Sequence, residues 1–320
     1  MSGPEPVAVV IPSWNSVELL PRCLASLGAQ EEEIELLVVD NGSADGSLEY
    51  LRREGVPHLA LPENLGFAAA VNLGADHTAA AAVLVLNADT VLEPGCLGPL
   101  RAALDGAPGL AGVQPRILQL EDGGPTAVEA ARLYSAGQAL SADGRALELG
   151  AGERQSPGWL TARPLFGVCG AACLFRRAAF EGLGGYEESY VSFYEDVDLN
   201  VRAQVAGWDF AYVPEAVVWH VGNASWQAGF ECPAAENARL VARNRLATQV
   251  KFMPARALPR IAAVEVASLL RAARQRRFGA TLRGKLEALA WLPELVRERR
   301  RLRREGDLGR ARRWLGAGRG

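Results

Sequence analysis

Four short apolar runs alternate with helical patterns in the first third of the chain, and this alternation limits the fold more than any other feature. The runs cover residues 7–11, 34–40, 58–61 and 82–86. Between them, residues 16–27 and 66–80 carry apolar side chains at helical spacing. Strands separated by helices predict an α/β fold, with a mostly parallel twisted sheet and helices on both faces.

The pattern changes after residue 120. Residues 121–164 are rich in Gly, Ala and Ser, which predicts a long excursion over the functional edge of the sheet. The alternation then returns as a strand, a helix and a closing pair of strands, at residues 169–175, 195–206, 210–214 and 217–220. From about residue 233 the chain is helical and basic, so we expect two domains, over residues 1–230 and 231–320.

The charge is distributed unevenly. Residues 1–250 hold 15 Lys and Arg against 31 Asp and Glu, whereas residues 251–320 hold 19 against 6, which sums to the net charge of −3. The densest basic run is 297–304, and it predicts contact with an anionic membrane surface, with a solvated helix end as the alternative. No stacking aromatic residues or known binding fold accompany these arginines, so we expect no nucleic acid partner.

The sequence predicts a cytoplasmic protein, peripheral at the inner face of the membrane if the basic tail binds there. No stretch approaches the roughly 20 apolar residues of a membrane-spanning helix, and the start lacks a signal pattern. The cysteines are odd in number and scattered, which is typical of free thiols. They are Cys23, Cys96, Cys169, Cys173 and Cys232.

Polar residues follow the predicted strands, at the edge where ligands bind in such sheets. Asp89 comes just after the fourth strand, and a carboxylate there suits a hard divalent cation that bridges phosphate oxygens. A helix cap is the alternative for Asp89, and a turn former is the alternative for Asp40. His220 ends an apolar strand, where it is either a metal ligand or a structural histidine.

Three carboxylates crowd the predicted start of a helix, at Glu195, Asp196 and Asp198. Crowded carboxylates raise one another's pKa, which suits a general base. The alternative is favourable interaction with the helix dipole. Several other chemistries are excluded, because the chain has no dinucleotide fingerprint, phosphate-loop lysine, paired zinc motif or nucleophile elbow.

Seven motifs, in order and at consistent spacing, resemble the inverting family-2 glycosyltransferases of the GT-A fold. They lie at residues 9–15, 38–45, 64–72, 86–90, 170–177, 193–199 and 218–220. Within that family the chain is most similar to the bacterial rhamnosyltransferase-like branch, and the resemblance covers about residues 7–252. It implies a GT-A domain over residues 1–230.

The resemblance also implies roles for individual residues. The nucleotide-sugar pocket would be formed by Pro12, Trp14, Asp40, Asn64, Gly66 and Asn87. Asp89 and His220 would hold Mg²⁺ or Mn²⁺ on the donor diphosphate, and Asp196 would be the general base. Asn87 departs from the family pattern, because it replaces the first acid of the metal motif.

The implied reaction is the transfer of one sugar from a nucleoside-diphosphate donor to a hydroxyl group, with inversion at the anomeric carbon. The branch indicates rhamnose as the sugar and a glycan or lipid-linked acceptor, in cell-surface polysaccharide synthesis. Two alternatives remain, a sugar-nucleotide enzyme of another reaction type and a catalytically inactive sugar-nucleotide-binding protein. The set of Asp89, Asp196 and His220 argues against the inactive protein.

Overall fold

A mixed ten-stranded sheet organises the structure, a computed structural model that describes residues 5–120, 124–221 and 234–316. The strands are β1 (Val7–Ser13), β2 (Ile34–Asp40), β3 (His58–Ala60), β4 (Ala82–Leu86), β5 (Thr90–Leu92), β6 (Leu110–Gln119), β7 (Leu133–Ser135), β8 (Gln138–Leu140), β9 (Ala146–Glu148), β10 (Arg163–Leu165), β11 (Ala172–Arg176) and β12 (Asp209–His220). The central order is β10-β12-β6-β11-β4-β1-β2-β3, with β5 on β12 and β7 on β6, while β8 and β9 form a separate pair.

Helices pack against the sheet, and further helices follow the last strand in the C-terminal segment. They are α1 (Leu20–Leu27), α2 (Ser47–Arg53), α3 (Phe67–Asp76), α4 (Leu97–Gly106), α5 (Arg177–Gly182), α6 (Glu195–Ala206), α7 (Ala234–Phe252), α8 (Leu258–Arg274), α9 (Phe278–Ala290), α10 (Leu292–Glu305) and α11 (Leu308–Arg312). The predicted helical character of the basic segment is therefore confirmed. The proposed domain boundary at residues 230 and 231 lies outside the described residues, as does Cys232, while the other four cysteines are free and buried.

The first half of the sheet is parallel. Strands β4, β1, β2 and β3 run in the same direction, and Ser13 at the end of β1 lies opposite Asp40 at the end of β2. Alternate residues of β1 enter two different apolar clusters, Val10 in one and Val9 in the other. Burial on both faces explains why these strands are continuous apolar runs, and it aligns their carboxyl ends at one edge.

The second half of the sheet is partly antiparallel, which apolar periodicity alone could not show. Strand β11 runs against both β4 and β6, whereas β6 and β12 are parallel. The prediction of two separate closing strands was wrong, because residues 209–220 form the single strand β12. Its pairing with β6 is irregular between Val213 and Val217, on either side of Pro214, whose nitrogen has no hydrogen to donate.

Short strands replace the irregular excursion that the composition indicated. Within the described residues of 121–164, β7 pairs with β6, and β8 and β9 form a hairpin closed by residues 141–145. Each of these strands has three residues. Such short pieces lack a detectable period of two, so the sequence pattern did not reveal them.

The C-terminal helices pack against α6, the helix that carries the acidic cluster. Val197, Val201 and Val205 of α6 lie in one apolar cluster with Phe252 of α7 and Leu302 of α10. No helix in the described part of the chain is both long and apolar enough to cross a membrane.

Candidate functional site

Asp40 places a buried carboxylate at the end of β2. Its side chain is 1% exposed, and its Oδ2 accepts a hydrogen bond from the Ser43 N–H at 3.3 Å. Its Oδ1 has no partner among the described residues. An ionised carboxylate only accepts hydrogen bonds, so this oxygen is available to a hydroxyl or N–H group of a ligand.

Asn41 ties the loop before α3 to the same strand end. Its Nδ2 donates to Asn64 Oδ1 at 3.0 Å and to the Gly66 carbonyl at 3.1 Å, and its Oδ1 accepts the Leu65 N–H at 2.9 Å. Asn64 and Gly66 therefore lie beside Asn41, the residue that follows Asp40, and their role in nucleotide binding stays a prediction. The sequence reasoning gave Asn41 no role, although its position directly after the strand-end acid was a usable signal.

Gly66 cannot be replaced without strain. Its φ is +93°, and a Cβ built there would lie 2.6 Å from both the Cγ1 and the carbonyl oxygen of Val191. The left-handed backbone and the close approach both require glycine. The contact links the Asn64 loop to the segment that leads into α6.

Pro12 lies near the end of β1 and Trp14 follows the strand, at the same edge of the sheet as Asp40. The following residue, Asn15, accepts the Ala44 N–H on its Oδ1 at 2.8 Å, and its own N–H donates to Ser43 Oγ at 2.9 Å. These bonds hold the end of β1 against the loop after β2. Pro12 and Trp14 are only partly buried, so both can contact a ligand.

Asp89 and His220 meet at the other end of this sheet edge. The Asp89 Oδ1 lies 3.0 Å from the His220 Nε2, because β12 pairs with β5 and sets His220 opposite Thr90. The Nε2 also lies 3.5 Å from Asn87 Nδ2. The ring of Tyr134 packs edge-on against the imidazole, with centroids 4.4 Å apart.

These residues fit a divalent cation that takes part of its coordination from a substrate. Among the described residues, no group of three or more His, Cys, Asp or Glu side chains could hold a metal alone. However, Asn87 Oδ1 is buried and lacks a partner within those residues, next to Asp89 and His220. A carboxylate, an imidazole and an amide oxygen suit Mg²⁺ or Mn²⁺ when phosphate oxygens or water complete the shell.

Asp196 lies in the first turn of α6 and is held by three hydrogen-bond donors. Its Oδ2 accepts the Gly170 N–H at 3.1 Å and the Gln138 Nε2 at 2.7 Å, and its Oδ1 accepts the Val197 N–H at 2.7 Å. Burial raises the pKa of Asp196, although these bonds oppose the rise. The carboxylate is thus a fixed and comparatively strong proton acceptor.

The other two acids of the cluster have different environments. Burial and the neighbouring Asp196 raise the pKa of Glu195 well above its usual range. Burial also disfavours ionisation of Asp198, but Lys251 and Arg202 outweigh it and lower the pKa of that carboxyl. Asp198 bonds to Lys251 Nζ at 2.5 Å and to Arg202 Nε at 2.7 Å, so both of its oxygens are occupied.

We predict that Asp198→Asn destabilises the fold by about 3–5 kcal/mol, because it leaves the buried Lys251 ammonium without its counter-charge. Urea unfolding at pH 7 measures the loss. Since the pKa of Asp198 is depressed in the folded state, the stabilisation that Asp198 gives to the fold is present above pH 3.8 and is lost as the pH falls lower.

Asp209→Asn is the control, because Asp209 pairs with Arg310 and Arg313 at the surface, where a loss of about 1 kcal/mol or less is expected. Equal losses in the two variants would contradict this interpretation of Asp198.

Comparisons with known sequences give a matching family model and a similar relative. The family model described as glycosyl transferase family 2 matches residues 8–184. The N-acetylglucosaminyl-diphospho-decaprenol L-rhamnosyltransferase of Mycobacterium tuberculosis (strain CDC 1551 / Oshkosh) is 32% identical over 238 residues, which cover 66% of this chain and 75% of that protein.

Two solved structures share the fold at low sequence identity. The mannosyltransferase PcManGT from Pyrobaculum calidifontis, in complex with GDP-Man and Mn²⁺, gives a TM-score of 0.53 at 17% identity, covering 94% of this chain and 86% of that one. GalNAc-T7 with UDP, GalNAc and Mn²⁺ gives 0.60 at 16% identity, covering 78% of this chain but only 48% of that one.

Proposed function

Because the chain belongs to glycosyltransferase family 2, as its motifs predicted, we propose that it is a metal-dependent, inverting enzyme acting on a nucleoside-diphosphate sugar. The observation that carries this proposal is the contact of Asp89 with His220 on the sheet edge that also holds Asp40, with Asp196 of α6 bonded to Gly170 just before β11. We propose rhamnose as the sugar, since the mycobacterial relative is named an L-rhamnosyltransferase. The diphospho-decaprenol in that name also supports a lipid-linked acceptor, and we propose a place in cell-surface polysaccharide synthesis.

Residues at both ends of this sheet edge would bind the donor. Asp40 Oδ1 would accept a hydrogen bond from the nucleoside, between Trp14 on one side and the Asn64–Gly66 loop on the other. Asp89 and His220, with Asn87 beside them, would hold Mg²⁺ or Mn²⁺. When bound, the cation neutralises charge on the departing diphosphate.

Asp196 would act on the acceptor. Its carboxylate takes the proton from the acceptor hydroxyl as that oxygen attacks the anomeric carbon, on the side opposite the diphosphate. Attack from that side inverts the anomeric configuration. The Gly170 N–H and Gln138 Nε2 fix Oδ2 throughout, so little reorganisation accompanies the proton transfer.

Product analysis tests the reaction type. Incubation with a sugar nucleotide and acceptor should release nucleoside diphosphate and give one added sugar of inverted configuration, both visible by NMR. Release of pyrophosphate would instead indicate a nucleotidyltransferase. Donor binding without turnover would indicate an inactive binding protein.

The structure changes which part of the basic segment we propose for membrane contact. Two arginines after residue 296 hold the C-terminal helices against the end of α7. Arg299 donates to the Val250 and Met253 carbonyls at 2.7 Å, and Arg312 donates to the Phe252 carbonyl at 2.8 Å. Within the run 297–304, Arg299 thus has a structural role, whereas the other arginines of the run are exposed and remain available to an anionic surface.

Helix α8 offers a better surface for an anionic membrane. Leu258, Val266 and Leu270 are each about 60% exposed and, at helical spacing, share one side of the helix. Arg271 and Arg274 follow along the same helix. An outward apolar side beside arginines is typical of helices that lie in a bilayer interface, so we propose that the enzyme is cytoplasmic and peripheral, docked through α8.

We predict salt-reversible binding to liposomes that contain an anionic phospholipid. The double variant Val266→Glu/Leu270→Glu should weaken this binding by about tenfold or more, because it removes two apolar contacts and adds repulsive charge. Leu160→Glu is the matched control, since Leu160 is 53% exposed in a different part of the fold. Unchanged binding by the double variant in a sedimentation assay would refute the α8 surface.

A further inference from the structure

A second carboxylate shares a hydrogen-bond donor with Asp196. Gln138, in β8, donates through its Nε2 to Asp196 Oδ2 at 2.7 Å and to Glu148 Oε1 at 3.0 Å. Glu148 lies in the paired strand β9, where Gln138 and Glu148 are direct partners in the ladder. One amide group therefore bridges two carboxylates from different elements.

The orientation of the bridging amide follows from its neighbours. Asn200 Oδ1 accepts the Val168 N–H at 3.2 Å, which leaves Asn200 Nδ2 to donate to Gln138 Oε1 at 2.9 Å. Because Gln138 Oε1 accepts that bond, its NH₂ group must face the two carboxylates. Gln138 and Asn200 are fully buried, so this arrangement cannot relax by turning toward solvent.

Glu148 is itself fixed on its other oxygen. Ser135 Oγ, in β7, donates to Glu148 Oε2 at 2.5 Å. Hydrogen bonds thus fix both oxygens of the carboxylate, and it makes no ion pair with any residue that the structure describes. Glu148 is partly buried, and a carboxylate removed from water without a counter-charge costs stability.

We propose that Glu148 is a positioning residue for Asp196, which it orients through the Gln138 amide and whose base strength it sets through its own charge. This inference rests on the proposed function, in which Asp196 is the general base. The acceptor proton goes to Asp196, and Glu148 takes no part in bond making or breaking.

The electrostatics support this coupling. Burial and the Asp196 charge raise the pKa of Glu148 to about 7, while hydrogen bonds from Ser135, Gln138 and Cys169 oppose the rise. The other titratable groups near this pair include Tyr134, Cys169 and Glu195, and burial raises the pKa of each of them. Interaction between two charges is mutual, so an ionised Glu148 makes Asp196 the stronger base.

The pH dependence of turnover tests the proposal. Glu148→Gln keeps the acceptor for Gln138 Nε2 and removes the charge, so the acid limb of the kcat profile should shift to lower pH. The maximal kcat should fall by about tenfold or less, as expected for a weaker base. Glu148→Ala should cost about 10²-fold in kcat through misorientation, with the donor KM little changed in both variants.

Glu153→Gln provides the matched control. Glu153 is exposed in the same excursion and bonds Trp159 Nε1 at 3.2 Å, so its substitution should leave the profile unchanged. An unshifted pH profile of kcat in Glu148→Gln would overturn the proposal. Equal shifts in Glu148→Gln and in the control Glu153→Gln would overturn it as well.

A measurement without turnover separates this inference from the proposed function. The raised pKa of Glu148 means that the folded state binds the proton more tightly, so its ionisation costs stability as the pH rises from 4.5 toward 7. Compared with the wild type, Glu148→Gln should have a similar Tm near pH 4.5 and a higher Tm at pH 8.

The same Tm measurement also tests the electrostatic coupling between Glu148 and Asp196. Asp196→Asn should reduce the Tm gain of Glu148→Gln at pH 8, because the neighbouring charge is absent. Equal gains in the two backgrounds would show that the carboxylates are uncoupled. If the wild type transfers no sugar, the proposed function fails, whereas these Tm values still decide whether Glu148 and Asp196 interact.

Discussion

Asp89→Ala should remove nearly all sugar transfer while leaving the fold intact. Asp89 supplies the carboxylate of the proposed cation site and lies 3.0 Å from His220 Nε2, and Asn87 offers only a neutral amide in its place. Without the carboxylate, the donor diphosphate loses the cation that stabilises its departure. EDTA should abolish transfer by the wild type for the same reason, with activity restored by added Mn²⁺.

Two variants complete this test. His220→Ala should raise the Mn²⁺ concentration needed for half-maximal rate, since one ligand of the cation is lost. Asp76→Ala serves as the control, because Asp76 is exposed at the end of α3. Circular dichroism verifies the fold of each variant. Full activity of the wild type in EDTA would contradict the assignment of Asp89 and His220 to a metal.

Asp196→Asn should lower turnover by about 10²–10⁴-fold, the usual contribution of a general base. The amide retains the shape of the carboxylate but cannot accept the acceptor proton. One amide position can still accept from Gly170 and Gln138, while the NH₂ group then faces the Val197 N–H that Oδ1 accepted in the wild type. A modest loss of stability should accompany the loss of rate.

Donor affinity separates catalysis from binding in this variant. Asp40 and Asp89 hold the donor in the proposed mechanism, so the donor Kd by calorimetry should change little in Asp196→Asn. Near-normal turnover of Asp196→Asn, together with inactivity of a folded Asp198→Asn, would show that the wrong carboxylate was chosen.

The strand-end residues could be predicted from sequence because short apolar strands bring their carboxyl ends to one edge. The position of Asp40 followed from the end of β2, whereas the joint role of Asp89 and His220 was implied by the family resemblance. The distant elements β5 and β12 do pair there. Local pattern was therefore sufficient to place these residues at strand ends, while the contact between Asp89 and His220 needed the resemblance.

The supporting contacts were not predictable in the same way. Gln138 and Glu148 belong to three-residue strands without a recognisable period, and Lys251 reaches Asp198 from a separate helix. These contacts depend on tertiary packing between distant parts of the chain. The antiparallel direction of β11 was hidden for a related reason, since a buried run of Ala, Cys, Leu and Phe suits either direction.

Nucleoside-diphosphate release across a panel of dTDP-, UDP- and GDP-sugars, with Mn²⁺ or EDTA and a lipid-linked acceptor, tests the central claim most directly. We predict acceptor-dependent release from one donor class, with dTDP-rhamnose expected, only in the presence of the cation. This release should be absent in Asp89→Ala and reduced by about 10²–10⁴-fold in Asp196→Asn. Equal release by the wild type and both variants, or release that persists in EDTA, would contradict the account.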